Sequence, residues 1–324
     1  VPELSPTPKR HGRLFRSLAA LVVMCAVAGY LVVQYLTGGA GTPGCKVVSG
    51  KSDGATYQFS PEQAVNAATI AAVGTGRGMP ERAVTIALAT ALQESALRNI
   101  DHGDRDSLGL FQQRPSQGWG TPTEILDPTY AANAFYTHLA KVPDYTRLPL
   151  TVAAQKVQRS GFPTAYAKHE PDATLLAAAL TGQSAATLTC EGRPATTQAA
   201  GTDAVRTALV RDFGRDVLEP ASAEVGAQAP TPTPSASGTG GGGRTVTLPV
   251  SDAGSGSGRS VRQRGWQLAH WAVANASALH IERVSYAGRQ WTAGNTDSQW
   301  RSADTEGAAG AEQTVDSVRI VTAQ

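Results

Sequence analysis

One carboxylate closes a long apolar run in "TIALATALQES", Thr85 to Ser95, and a loop rich in Asp and Gly follows it. That carboxylate is Glu94. The run before it is apolar or small on nearly every face, the pattern of a helix buried on most sides. At the end of such a helix a carboxyl is partly desolvated and close to the negative end of the helix dipole. Both effects favour the protonated form, which a general acid needs to cleave a glycosidic bond. Taken alone, Glu94 also fits a solvated residue at a frayed helix end. Asp101, Asp104 and Asp106 in the loop offer a second carboxylate for two-carboxylate hydrolysis. Their spacing beside Gly103 and Gly109 fits turn chemistry better. The loop lacks the ligand positions and distal glutamate of an EF-hand. Trp119 in "PSQGWGTP" fits either a sugar-stacking platform or plain loop packing.

The elements around this stretch read as helices. "SPEQAVNAATIAAVGTG" opens with Ser60 as N-cap, Pro61 in the first turn and Gln63 completing a capping box, and closes at Gly74 and Gly76. The next helix starts at Pro80 and carries Glu94. "DPTYAANAFYTHLAKV" predicts a third helix stopped by Pro143, and "LTVAAQKVQRSG" a fourth ended by Gly161. "FPTAYAKHE" and "DATLLAAALTG" add short pieces. Few β-branched residues alternate here, so any sheet in this region is small.

Three motifs recur in order: Glu94-Ser95, "GLFQ" at Gly109 to Gln112, and the helix holding Asn133 and Tyr136. Together they resemble the lysozyme-like fold of lytic transglycosylases and goose-type lysozymes, over about Ser60 to Tyr166. The resemblance implies that Glu94 is the catalytic acid/base, that Ser95 helps to position substrate or carboxylate, and that Gln112 lines the glycan cleft. Asn133 and Tyr136 belong to the same implied site. It implies no cofactor. The family's later Tyr-Asn pair is missing. "AAQKVQRSGFPTAY" stands in its place, with Gln155, Gln158 and Tyr166 as the nearest substitutes. A non-catalytic protein that keeps the fold and holds peptidoglycan therefore stands as the alternative to a muramidase or lytic transglycosylase.

Compartment agrees with a cell-wall polymer. Lys9, Arg10, Arg13 and Arg16 precede "LAALVVMCAVAGYLVVQYL", Leu18 to Leu36, which carries no formal charge. About 20 apolar residues span a bilayer as a helix, and basic residues stay inside. The expectation is a basic cytoplasmic tail over 1–17, one transmembrane helix over 18–36 and an extracytoplasmic remainder. A cleaved signal peptide is the rival, although its apolar core is normally shorter, roughly 7–15 residues. Cys25 lies inside the span. Cys45 and Cys190 bracket the helical region and in an oxidising space predict a disulfide. Three cysteines and six scattered histidines show no zinc-type spacing.

Charge argues against nucleic acid. The chain is +2 overall, and residues 1–36 hold four Lys/Arg against one Asp/Glu. The remainder is therefore 24 against 25, or −1, with no basic stripe to follow a phosphate backbone. Peptidoglycan strands and the cytoplasmic membrane are the expected partners.

The expected organisation is a mainly α lysozyme-like domain over 45–190, then a helix-containing Pro/Gly/Thr-rich linker over 191–244, then a small α+β module over 245–324. "AQAPTPTPSASGTGGGG", Ala227 to Gly243, is the clearest joint and is expected to let the module swing. Before it, "TDAVRTALVRDFGRDV" reads as an amphipathic helix through Val205, Leu209 and Phe213, with its packing side open. In the module, "RGWQLAHWAVANASAL" places Leu268, Trp271, Ala272, Ala276 and Leu279 on one stripe. "IERVSYAGRQWTA" predicts two strands around Ala287-Gly288, and "DSVRIVT" a closing strand. The order loosely resembles a C-terminal domain of secreted peptidoglycan-directed proteins, some with His/Asp metal sites. Their Asp-His-Val-His strand becomes "DSVR" here, Asp316 to Arg319, so the resemblance implies binding rather than metal chemistry. His270 and His280 read as packing or surface residues.

Overall fold

The computed structural model describes residues 44–192, 201–219, 243–250, 259–294, 299–303 and 316–323. The predicted cytoplasmic tail, the membrane span Leu18–Leu36 and most of the Pro/Gly linker lie outside them. Among the described residues, no helix is long and apolar enough to cross a membrane.

Strands β1 (Cys45–Val48) and β2 (Thr56–Phe59) open the region, and β3 (Leu188–Cys190) closes it. They form an antiparallel sheet in the order β2-β1-β3, with Cys45 directly opposite Cys190. Those two residues form the predicted disulfide.

Between the strands lie the helices α1 (Pro61–Gly76), α2 (Glu81–Ser95), α3 (Pro122–Ile125), α4 (Pro128–Leu139), α5 (Leu150–Gln158) and α6 (Glu170–Leu180). The Ser60 capping box forms as the sequence predicts. Helix α5 ends sooner than expected. Arg159, rather than Gly161, takes the left-handed cap at φ 52°, with its N–H on Gln155 O. Helix α2 is buried from Ala83 to Leu92 because α1, α4, α5 and α6 all pack on it. The polar side chains in its interior, Thr85 and Thr90, turn back onto the helix itself, donating to Glu81 O and Ile86 O.

The second part begins with α7 (Gly201–Phe213) and continues through β4 (Thr245–Pro249), α8 (Val261–Ala274), α9 (Ala276–Leu279), β5 (Ile281–Tyr286), β6 (Arg289–Thr292), β7 (Arg301–Ser302) and β8 (Ser317–Thr322). Its antiparallel sheet runs β4-β8-β5-β6-β7. The predicted Ala287-Gly288 hairpin joins β5 to β6.

Helix α8 carries more than one apolar stripe: every residue from Gly265 to Ala274 is buried. The physical reason is that it is covered on both sides, by β5 and β8 and by α1, α6 and β3. Residues 43–324 form one compact unit. The packing of α8 on α1, α6 and β3 leaves no free swing of the module about the linker. Two tryptophans cap the outer edge of β3. Trp300 Nε1 donates to Leu188 O at 2.9 Å and Trp291 Nε1 to Cys190 O at 3.0 Å. The packing side of α7 is also decided. Its Asp212 accepts from Trp271 Nε1 of α8 at 2.8 Å and from Thr69 Oγ1 of α1 at 3.3 Å. Helix α7 therefore bridges both parts.

Candidate functional site: a cleft around Glu94

Helix α2 ends in two consecutive left-handed residues, Ala96 at φ 53° and Leu97 at φ 59°. Non-glycine residues adopt that region at a cost, so surrounding contacts must hold them there. Two amides from α1 do so. Gln63 Nε2 donates to Ala96 O and Asn66 Nδ2 to Leu97 O, each at 2.8 Å. Gln63 thus caps its own helix and fixes the turn behind Glu94. The sequence shows only the first role, because the second needs a partner 33 residues away.

The Gly109–Gln112 step is a tight turn closed by paired Leu108 and Gln113 backbones. Gly109 sits at φ 73°, and a side chain there would strike Ile125 O, so this turn needs glycine. Its carbonyls are anchored to the helices beside it. Ser95 Oγ donates to Leu110 O and Gln158 Nε2 to Phe111 O, both at 2.8 Å.

Glu94 is half-buried on the floor of a cleft of about 780 Å3. Its Oε1 accepts from Tyr166 Oη at 2.7 Å and from Gln158 Nε2 at 3.1 Å. Oε2 takes no hydrogen bond from any described residue. The two donors fix the orientation of the carboxyl through Oε1. Burial pushes the Tyr166 phenol well above the usual tyrosine range, and the neighbouring Glu94 carboxylate adds to the shift. The phenol therefore remains a donor throughout neutral pH. Of the three nearest substitutes for the missing Tyr-Asn pair, Tyr166 and Gln158 reach the carboxylate. Gln155 instead donates to Ser160 O at 2.8 Å.

The other expected site residues divide. Gln112 lines the cleft with a strained φ of 48°. Ser95 does not line it. Successive helical residues point about 100° apart, so Glu94 faces the cleft while Ser95 turns inward to Ala91 O and Leu110 O. Tyr136 is fully enclosed and donates to Ile70 O at 3.0 Å, passing over Gly74, where a side chain would collide with it. It packs α4 on α1 rather than touching a ligand. Asn133 is held outside the cleft between Arg77 Nη1 and Thr129 O, at 3.0 Å each. Helix α4 reaches the cleft through His138, whose ring meets Trp119 at a tilt of 38° with ring centres 4.2 Å apart.

The loop aspartates also separate. Asp106 accepts from Arg114 Nε and Ser116 N–H at 2.8 Å, and Arg114 holds its carboxyl well below the usual range. It is a loop staple. Asp101 pairs with His102 at 3.0 Å on the open surface. Asp104 alone of the three lines the cleft.

Of the module's two histidines, His270 is spent on packing. His270 Nε2 accepts from Thr187 N–H at 3.2 Å, and its Nδ1 donates to Ala179 O at 2.8 Å. Burial pushes it down to about 4, so it is the neutral tautomer.

Residues 199–314 match the family model described as VldE, C-terminal domain. That stretch starts at α7 and runs through most of the module, and it excludes Glu94 and its cleft. No curated protein matches the chain.

Proposed function

We propose that the protein cleaves the glycan strand of peptidoglycan, with Glu94 as the general acid and base. One observation carries this reading: in an open cleft, Glu94 has Oε1 fixed by Tyr166 and Gln158 and Oε2 without a partner among the described residues. A carboxyl so held can give a proton from Oε2 to a glycosidic oxygen as the C1–O bond breaks. The same oxygen, now anionic, can take the proton of the sugar's own 6-hydroxyl as that oxygen bonds to C1. The product is a 1,6-anhydro end with no water consumed, which is lytic transglycosylation. Attack by water instead would leave a reducing end, and Asp104 on the cleft wall is the group available to activate it. A helical frame with a lone glutamate at the end of its buried helix supports the lysozyme-like resemblance.

The disulfide supports an oxidising, extracytoplasmic setting. On this reading the apolar run Leu18–Leu36 tethers the cleft near the membrane surface.

Digestion of purified sacculi with Glu94→Gln beside the unaltered protein tests the proposal. The variant keeps shape and loses the proton donor, so release of soluble muropeptides should fall at least about a hundredfold. Mass spectrometry of the products separates anhydro ends from reducing ends. Undiminished release by the variant would remove Glu94 from the mechanism. Binding to sacculi by the unaltered protein with no soluble product would leave a non-catalytic glycan-holding protein.

A further inference from the structure

The cleft is more basic than the chain around it. Beyond residue 36 the protein is near −1, yet the cleft wall carries Arg105, Arg114, Lys141, Lys156 and Arg159 against only Glu94 and Asp104. Arg114 is consumed by Asp106 at 2.8 Å, and Arg105 Nε lies 4.0 Å from Asp104. Lys141, Lys156 and Arg159 remain. All three are exposed, and none of their side chains forms a hydrogen bond or ion pair with a described residue. Lys156 in the last turn of α5 and Arg159, its left-handed cap, both line the cleft. Lys141 follows the end of α4, which packs on α5. Cations gathered around one concave surface add their potentials and raise the local concentration of anions. The Phe162 ring stands on the same rim, 77 % exposed, where it can meet the apolar face of a sugar.

We infer that this cleft selects glycan strands bearing anionic groups close to the scissile bond, through Lys141, Lys156 and Arg159. The inference rests on the glycan-cleaving reading for its polymer, and on these three charges for its selectivity. The anion is either a free carboxylate of the peptide stem or a phosphodiester of a polymer attached to the strand. Both present oxygen anions to exposed ammonium and guanidinium groups.

The test is co-sedimentation of the Glu94→Gln protein with insoluble sacculi across a salt series, so that binding is read without turnover. Four substrates separate the sources: native sacculi, sacculi stripped of phosphodiester polymers, sacculi with stem carboxylates amidated, and sacculi treated both ways. Adding Lys141→Gln, Lys156→Gln and Arg159→Gln together should weaken binding to native sacculi about tenfold, the sum expected of three exposed ion pairs. The salt dependence should flatten in the same variant. Doubly neutralised sacculi should bind the parent as weakly as native sacculi bind the variant. The single treatment that weakens binding more names the anion. Equal binding with and without the three charges would overturn the inference, as would indifference to both treatments. Failure of catalysis reads differently: unaltered protein that binds in this charge-dependent way but releases no muropeptide overturns only the enzymatic reading.

Discussion

On the cleft side, Glu94 keeps one oxygen free of partners among the described residues. Among the residues after Cys190, Asp212, His270, Trp271, Trp291 and Trp300 each have one or more partners, and those of His270, Trp291 and Trp300 lie in the helical region. Trp266 Nε1 is buried without one. A polar group in apolar surroundings must be satisfied or must do something with its free valence. The helical region leaves Glu94 open toward the cleft. The module uses its polar groups to grip the helical region, capping β3 beside the disulfide and holding α6 through His270. The module thus acts as a buttress for the frame that positions Glu94. Substitutions in it should change stability, and those around Glu94 should change rate.

The largest expected effect on stability comes from the disulfide, which closes a loop of 145 residues. Reduction should lower stability by about 4–5 kcal/mol in the chain-entropy model, less where native strain offsets it. Thermal unfolding of the protein with and without reductant measures this. Tryptophan fluorescence, which mostly reports the module, should follow the same single transition as far-UV circular dichroism. Two separated transitions would break the comparison by showing that the module folds independently.

Next is Asp212, whose side chain is fully buried and accepts from Trp271, Thr69 and Arg211. Asp212→Ala leaves buried donors unpaired and should cost about 3 kcal/mol. Chemical denaturation should show a lower midpoint with an unchanged slope. A loss under about 0.5 kcal/mol, the scale of an ordinary surface change, would mean that α7 does not fasten the two parts.

Helix α5 and the cysteine pair were legible because they rest on local pattern and on compartment chemistry, whereas Gln158 was legible only through the motif resemblance. The place of Glu94 at the end of a buried helix was legible from the apolar run before it, but the carboxylate alone fits a solvated helix end, and only the motifs that follow it set it apart. Tyr136 misled because a helix face cannot be read without knowing its neighbour, and Gly74 makes room for its ring in the core. The Pro/Gly linker misled for a related reason. Composition describes the tether, whereas the buttress is made of pairings such as Trp300 with Leu188 O across 112 residues. No local signal encodes those.

His270 sharpens the comparison through pH. Its folded value of about 4 lies below the usual 6.5 because burial disfavours the charged ring. Between those values the unfolded chain binds more protons than the folded one. Stability is therefore full above pH 6.5, falls as pH drops toward 4 and is flat in this respect below it. The ceiling is about 3 kcal/mol. Burial lowers His169 also, adding the same sign, while Glu81 and Asp172, pushed up by burial, oppose it at the acid end. Melting temperatures from pH 7 to 4 should decline, and His270→Gln should flatten the slope. A variant with the unaltered slope would move the pH dependence elsewhere.

The smallest effect in free energy is the most diagnostic of the cleft. Tyr166→Phe keeps a fully buried ring and deletes only the hydroxyl that donates to Glu94 Oε1 at 2.7 Å. Gln158 still holds the same oxygen, so the carboxyl keeps one of its two restraints. One hydrogen bond to a charged group is worth about 1.5 kcal/mol, or about a tenfold change in rate. That loss should fall on kcat, with KM for soluble glycan fragments unchanged, because the phenol touches the acid and not the substrate. Stability should change by less than about 1 kcal/mol, since packing is retained. A purely structural Tyr166 would show the reverse: a lower melting temperature and an unaltered kcat. The Tyr166→Phe variant thus asks whether the cleft spends its polar contacts on rate where the module spends them on stability.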